Sequence, residues 1–174
     1  MLAHLLGLPL QPQSAVDWIV FGAAQYGGAL VMDIARYLLF AGAAFLILWV
    51  WFGRRLAHRR IQERVPPSRQ LRREALWSLS TVSIFALLAL ATGIAYALGA
   101  TRIYIDFAER GWAYWGFTVV LLIVAHDAYF YWTHRAMHHP RLYRVFHRTH
   151  HRSVSPSPWA AYSFAPAEAV VEGA

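Results

Sequence analysis

Three long stretches of the chain are almost free of charged residues. The first runs from Gly28 to Phe52, the second from about Leu76 to Leu98, and the third from Gly111 to Thr133. At about 1.5 Å per residue, a helix over each stretch would be roughly 34–37 Å long, enough to cross a hydrocarbon core of about 30 Å. In lipid, a spanning segment must satisfy its own backbone hydrogen bonds. Each stretch is therefore predicted to be a transmembrane helix.

The segments that flank the three spans are more polar. Residues 1–27 include one apolar part, Ala15–Tyr26, which is too short to span and is predicted to lie at the membrane interface. The loop 54–74 between the first two spans is rich in Arg. After the third span, a new short helix is predicted to begin at Pro140, because proline is well suited to the first helical position. The predicted fold class is all-α: an integral membrane helical bundle with three transmembrane helices and short cytoplasmic helices.

Composition supports a membrane protein. The chain is 58% hydrophobic and 14% charged, whereas a soluble domain has roughly 45–50% and about 25%. Such an excess of apolar side chains is hard to bury in one soluble core but easy to place in lipid. The chain has no Cys, so disulfides and thiolate metal ligands are excluded. Any metal must be held by imidazole or carboxylate groups.

The positive charge is concentrated in two short segments. All sixteen basic residues are Arg; eight lie between Arg54 and Arg73, and five between Arg135 and Arg152. Because Lys and Arg collect in short cytoplasmic loops, two basic segments separated by apolar spans indicate membrane topology. Both fall on the same side of three spans, which is therefore predicted to be cytoplasmic. A nucleic-acid partner is disfavoured on so apolar a chain, and the absence of Lys points to a bacterial inner membrane.

The most informative pattern is a group of histidines after the third span. His134 and His138 stand four residues apart, so both imidazoles share one helical face. His147, His150 and His151 stand at i, i+3 and i+4 and share a face in the same way. Two short helices with facing imidazoles can surround a metal, and several neutral imidazoles suit Zn, Cu, Fe or Ni rather than Mg or Ca. The alternative is a basic membrane-surface patch, but such a patch does not need histidine, which is largely neutral at pH 7.

Four further residues are candidates for ligands or supporting groups. On an ideal helix Asp127 lies within about 20° of the His134 face, whereas His126 is rotated by about 80°. Asp127 is therefore the better candidate to orient a ligand imidazole, although a polar pair buried between helices is the alternative for both. His139 points away from the shared face and is expected to cap a helix or face water. Glu168 is a candidate for a supporting contact or for an ordinary role at a helix start.

Residues 126–172 resemble the fatty acid hydroxylase and sterol desaturase superfamily of membrane di-iron oxygenases. The sequence HRAMH of the first histidine pair reproduces that family's HxxxH box, and HRTHH reproduces its HxxHH box. The Asp before the first box and the Pro-x-Glu after the second box also correspond. The resemblance covers about the last third of the chain, and the two boxes together are specific.

The resemblance implies that the five histidines of the two boxes ligate non-haem iron in a di-iron centre, where zinc could substitute. It implies an oxidoreductase of lipid biosynthesis or modification that hydroxylates or desaturates a C–H bond of a lipid or sterol. Such an enzyme uses O2 and electrons from a donor such as a cytochrome or a ferredoxin. The corresponding division is an N-terminal segment 1–27, two spans with their Arg-rich loop over 28–110, and the N-terminal part of a fatty acid hydroxylase-like domain over 111–174.

Two departures from the family pattern lead to expectations of their own. Members usually carry a third histidine box after a further pair of spans, so the chain is expected to be an incomplete piece that is inactive in isolation. The family also often has His where this sequence has Ala165. Two alternatives stay open: a non-catalytic membrane metal-binding protein, and a relative similar to carotenoid hydroxylases, which space their boxes differently.

Overall fold

The computed structural model describes residues 11–59, 64–104, 106 and 109–174. These residues form helices, turns and loops, and no β-strand occurs among them, which confirms the predicted all-α class. The helices are α1 (Ala15–Phe45), α2 (Ser68–Ala97), α3 (Gly111–Met137), α4 (Pro140–Phe146), α5 (Arg148–His151) and α6 (Pro166–Glu172). A π-helical segment, Leu46–Trp51, continues α1, and 3-10 turns lie at Ala57–Arg59 and Pro158–Ala160.

Three helices are long and apolar enough to cross a membrane, as predicted: Ala15–Trp51, Ser68–Ala97 and Gly111–Met137. The first begins earlier than the predicted Gly28 because a capping box fixes its start. The Ser14 hydroxyl accepts a hydrogen bond from the Asp17 amide at 3.1 Å, and the Asp17 carboxylate accepts one from the Ser14 amide at 2.9 Å.

This earlier start changes the description of the N-terminal segment. Ala15–Tyr26, predicted as a separate interfacial stretch, forms the first turns of α1; its location at the membrane interface stays a prediction. Residues 1–10 lie outside the described part of the chain. The second helix also begins earlier than predicted, at Ser68 inside the Arg-rich loop. Arg, Gln, Leu and Glu all favour helix, so the charged residues there extend the helix beyond the apolar span.

Helices α1 and α2 form an antiparallel pair. Early in α1, Gly22 lies near Leu90 and Gln25 lies against Gly93, both late in α2. A Cβ at Gly93 would come within 2.9 Å of the Gln25 amide nitrogen, so the absence of a side chain permits this close approach.

Helix α3 packs mainly on the short helices rather than on this pair. Its contacts are with α4 and α6, and the Tyr129 hydroxyl donates a hydrogen bond to the Val171 carbonyl at 2.7 Å. No residue in the most apolar 18-residue stretch of α3 is buried within the protein. This exposed apolar surface suits contact with lipid.

The segment between α5 and α6 is fastened to the α1–α2 pair through Trp159. Its carbonyl accepts hydrogen bonds from the Tyr37 hydroxyl of α1 and from the Ser78 hydroxyl of α2, each at 2.8 Å. Its ring packs against Tyr37 and Phe45, with centroids 5.7 and 5.8 Å away. The segment that follows the histidines is therefore held in place by both long helices.

A buried carboxylate makes a second link to the same segment. The Glu74 side chain is fully buried. Its two oxygens accept hydrogen bonds from the Gln70 amide at 2.8 Å and from the Ser157 hydroxyl at 2.5 Å. The Gln70 amide also donates to the Ser155 carbonyl at 2.8 Å. Because a buried polar group without partners is costly, this network specifies how the segment lies on α2.

We expect Glu74→Ala to lower the stability of the protein by about 1–3 kcal/mol, because Ser157 and Gln70 lose their acceptor in a buried site. The change is measured as a lower apparent melting temperature of the purified protein in detergent. The matched control is Glu109→Ala, since Glu109 is exposed. A Glu74→Ala protein that melts with the parent would contradict a stabilising role for this network.

Candidate metal centre

The turn between α3 and α4 brings the first histidine box to the second. His134 lies in the last turn of α3, and His138 is its C-terminal capping residue. His139 caps the start of α4, where its side chain accepts a hydrogen bond from the Arg141 amide at 3.3 Å. Pro140 occupies the first turn of α4, as predicted. The local sequence thus ends one helix and starts another within three residues.

The second box does not lie on one continuous helix. The spacing predicts a single helix from Pro140 through His151, whereas the structure has α4 and α5, which meet at His147. The backbone of His147 has φ −114° and ψ −14°, outside the usual helical values. A hydrogen bond of 3.4 Å from the His151 amide to the His147 carbonyl bridges the break. The rings of His147 and His151 therefore stay close, with centroids 4.6 Å apart, as in a helical turn.

Four imidazoles converge at the junction of these helices. The His147 ring centroid lies 4.4 Å from that of His134, 4.6 Å from that of His138 and 4.6 Å from that of His151. One ligand atom from each of His134, His138 and His147 lies within 4.8 Å of the other two. His150 lies beside this group, with its ring centroid 5.4 Å from that of His147 and 5.5 Å from that of Phe164.

The arrangement fits a metal ion held by ring nitrogens. Two nitrogens bound to one tetrahedral metal at about 2.1 Å lie about 3.4 Å apart, and the Nε2 atoms of His134 and His138 are 3.3 Å apart. The His147 Nε2 and the His150 Nδ1 are buried without a hydrogen-bond partner. An unpaired buried ring nitrogen is costly unless a ligand occupies it. Imidazoles without thiolates suit iron or zinc.

The carboxyl group of Glu168 holds the central imidazole in place. Its Oε1 lies 2.6 Å from His147 Nδ1, and both side chains are buried. The other oxygen accepts a hydrogen bond from the Ala165 amide at 3.4 Å, at the start of α6. Glu168 therefore combines the two roles considered for it, a supporting contact and a helix start. With Nδ1 engaged, the Nε2 of His147 faces the other imidazoles.

Burial sets the protonation of this pair. Desolvation, with smaller contributions from the neighbouring histidines, lowers the pKa of His147 to about 3. Desolvation raises the pKa of Glu168 to about 8. At neutral pH the contact is therefore a hydrogen bond between two uncharged groups rather than an ion pair. Burial also lowers the pKa of His150 and of His151, and neutral imidazole is the form that binds metal.

Comparisons with known proteins identify one family and several relatives. The family described as fatty acid hydroxylase matches residues 119–174. A Delta(7)-sterol 5(6)-desaturase of Gibberella zeae is 30% identical over 161 residues, which are 87% of this chain and 49% of the relative. One from Aspergillus fumigatus is 32% identical over 136 residues, which cover 78% of this chain and 40% of the relative. The match over residues 119–174 and these relatives support the fatty acid hydroxylase and sterol desaturase superfamily.

A mammalian relative is more distant. The human lathosterol oxidase is 24% identical over 147 residues, which cover 82% of this chain and 47% of the relative. The chain thus spans about half the length, or less, of these curated members of the superfamily. No solved structure matches it.

The remaining predicted site residues lie outside the group of four converging imidazoles. Asp127 is exposed, and its carboxylate makes no hydrogen bond or ion pair within the described residues; its orienting role stays a prediction. His126 stacks on Phe130, which in turn stacks on His134, with centroids 6.4 and 5.5 Å apart. His139 is exposed and caps α4, one of the two roles expected for it.

The sequence analysis missed the Glu74 network that fastens the segment after the second box. One signal was present: Glu74 is the last charged residue before a long uncharged run that ends at Arg102. An acidic group at the entrance to a span needs a partner. The sequence does not show which hydroxyl supplies it.

We expect Glu168 to make the stability of the metal-free protein decrease as the pH rises. The folded protein keeps the Glu168 proton up to a pKa of about 8, above the ordinary value of 4.5. The folded state therefore binds more protons between these values, and this stabilisation is lost as pH rises through about 8. Glu168→Gln cannot ionise, so its melting temperature should decrease less over this range.

The measurement is the apparent melting temperature of chelator-treated protein between about pH 4.5 and 8, with Glu109→Gln as the control. His147 acts in the opposite direction: because its pKa is lowered, its contribution is lost as pH falls from 6.5 towards about 3. This decrease in melting temperature at acid pH should persist in the Glu168→Gln protein. If the melting temperatures of Glu168→Gln and the parent change equally with pH between about 4.5 and 8, Glu168 does not titrate in this way.

Proposed function

We propose that the chain carries the two-box part of the metal centre of a membrane-bound non-haem iron oxygenase. The enzyme hydroxylates or desaturates a C–H bond of a lipid or sterol with O2 and external electrons. The observation that carries this proposal is the convergence of the imidazoles of His134, His138, His147 and His151 at the end of an apolar helix. The match to the fatty acid hydroxylase family supports it, as do relatives named sterol desaturase and lathosterol oxidase.

The donor set assigns a role to each histidine of the two boxes. His134, His138, His147 and His151 would hold iron through ring nitrogens, and zinc could take its place. The unpaired Nδ1 of His150 makes this residue the fifth candidate ligand. When bound, the iron supplies the activation of O2 that reaction at an unactivated C–H bond requires.

The other residues prepare this site. In the tautomer that carries its proton on Nδ1, His147 donates that proton to Glu168, which fixes the ring and leaves the Nε2 lone pair directed at the cluster. Phe164 packs on the His150 ring and shields it from water. A lipid substrate has a direct approach along the exposed apolar surface of α3, because His134 lies in the last turn of that helix.

Charge around the boxes supports an acidic electron donor as a partner. Five arginines alternate with the histidines of the two boxes along the chain, and complementary charge steers such a donor to the site. The clustering of Arg on one side of the spans supports a cytoplasmic location for the site. The bacterial inner membrane stays a prediction from composition. The five arginines are Arg135, Arg141, Arg144, Arg148 and Arg152.

We expect His138→Ala and His150→Ala each to reduce the iron content of the purified protein, His138→Ala most strongly because its ring lies within the convergence. Loss of one ligand should weaken binding by about tenfold or more. Metal per protein is measured by mass spectrometry after growth with iron and again after reloading with zinc. His139→Ala is the matched control, since this exposed histidine lies outside the cluster. If neither variant holds less metal than the parent, the assignment of the site is wrong.

The reaction is tested with the complete gene product in cells that are supplied with a sterol or with fatty acyl lipids. We expect a lipid that has lost two hydrogens or gained one oxygen atom, detected by mass spectrometry of extracts. The new lipid should disappear with His147→Ala and persist with His139→Ala. A protein that binds iron in its two boxes but produces no such lipid would instead be a non-catalytic metal-binding protein.

A further inference from the structure

A cavity at the start of α2 has an almost entirely apolar surface and adjoins a more polar cavity. Its volume is about 400 Å³. A second cavity of about 580 Å³ adjoins it, and the two share Arg69 and Arg73. We call the first cavity the arginine groove. It is lined by Arg69, Arg72, Arg73, Leu76, Trp77 and Ser80.

The charge of the arginine groove is not neutralised within the described residues. The ion pairs there are Arg36–Asp33 and His147–Glu168, neither of which belongs to the groove. The acid nearest in sequence, Glu74, is buried and receives its hydrogen bonds from neutral side chains. Guanidinium groups stay charged at any physiological pH. The surface of the groove itself is almost entirely apolar, because the arginines line it with their aliphatic stems. The adjoining cavity is more polar, and Arg69 and Arg73 line it as well. The positive charge is therefore available to an occupant in that adjoining cavity.

The groove also extends towards the membrane interior. Arg72 and Ser80 are eight residues apart, which corresponds to about 12 Å along a helix. The arginines lie at the water-facing start of α2, whereas Leu76 and Trp77 lie in the next turn, within the predicted span. Trp is typical of the membrane interface. An occupant that fills the groove thus needs an anionic end and an apolar end.

We propose that the arginine groove binds one anionic phospholipid. The phosphate lies in the adjoining cavity beside the guanidinium groups of Arg69 and Arg73, which can form paired hydrogen bonds with it. An acyl chain follows Leu76 and Trp77 towards Ser80. A soluble acidic protein would reach the arginines but not the apolar floor, so lipid uses more of the surface.

The site adjoins the segment that follows the second histidine box. The Arg73 guanidinium donates a hydrogen bond to the Arg152 carbonyl at 2.8 Å, and Arg152 also lines the adjoining cavity. A lipid bound to Arg73 therefore contacts the part of the chain that directly follows His151. The lipid site itself is independent of whether the histidines hold iron.

The test measures lipid binding to the delipidated full chain in detergent by native mass spectrometry. Phosphatidylglycerol and phosphatidylcholine with identical acyl chains are the probes. We expect the parent to prefer phosphatidylglycerol and the variant R69Q/R72Q to lose this preference by about tenfold or more, since each arginine near a membrane contributes several-fold. The matched control R54Q/R55Q removes two exposed arginines from the same loop but outside the groove, and should bind as the parent does.

A variant that keeps every arginine provides a second, independent test of the proposal. Ser80→Trp fills the apolar end of the groove and should weaken phosphatidylglycerol binding while all arginines remain. Circular dichroism checks that each variant keeps the parental helix content. If R69Q/R72Q does not fold, the lipid binding of Ser80→Trp tests the proposal instead. Equal losses in the two arginine pairs would reveal a diffuse charge effect and overturn the proposal. Equal binding of the two lipids, or displacement by glycerol phosphate as effective as by lipid, would also overturn it.

Discussion

The hydrogen bond between His147 and Glu168 is the contact on which the proposed metal centre depends. It joins the break between α4 and α5 to the start of α6, two parts of the chain that are 21 residues apart. It also fixes which nitrogen of the central ring remains available. Without the carboxyl group, the His147 ring could rotate or take the other tautomer, and the four imidazoles would no longer share one focus. One buried contact thus links α6 to the junction of α4 and α5 and determines which nitrogen of His147 can bind a metal.

A few polar contacts fasten the apolar helices to the site. In lipid, apolar surface gives little net attraction between helices, because acyl chains are as apolar as the side chains they replace. Hydrogen bonds and small residues must then define the packing. Tyr37 and Ser78 hold Trp159, and Glu74 holds Ser157, each across elements far apart in sequence. The segment after the second box is therefore attached at several points, which restricts the position of α6 and of Glu168.

The sequence predicts features that depend on neighbouring residues, and it does not predict contacts between residues far apart in the chain. The spans and the shared faces of His134 and His138 depend on helical periodicity alone, so they were predictable. The start of α1 was also readable, since Ser14 and Asp17 form a local capping box. Asp127 was favoured because its angle on α3 matches that of His134, but the angle on one helix does not reveal which other element packs there. Glu168, from a later helix, occupies that supporting position at His147.

The number of donors bears on what the two boxes can hold. Five imidazoles, with neighbouring ring centroids between 4.4 and 5.7 Å apart, are ample for one metal ion. Two irons would need more ligands than five imidazoles supply, even if His126 moved closer. A third histidine box, which the resemblance leads us to expect, would provide them. Because α3 exposes its apolar surface almost up to His134, this surface leads directly to the imidazole cluster.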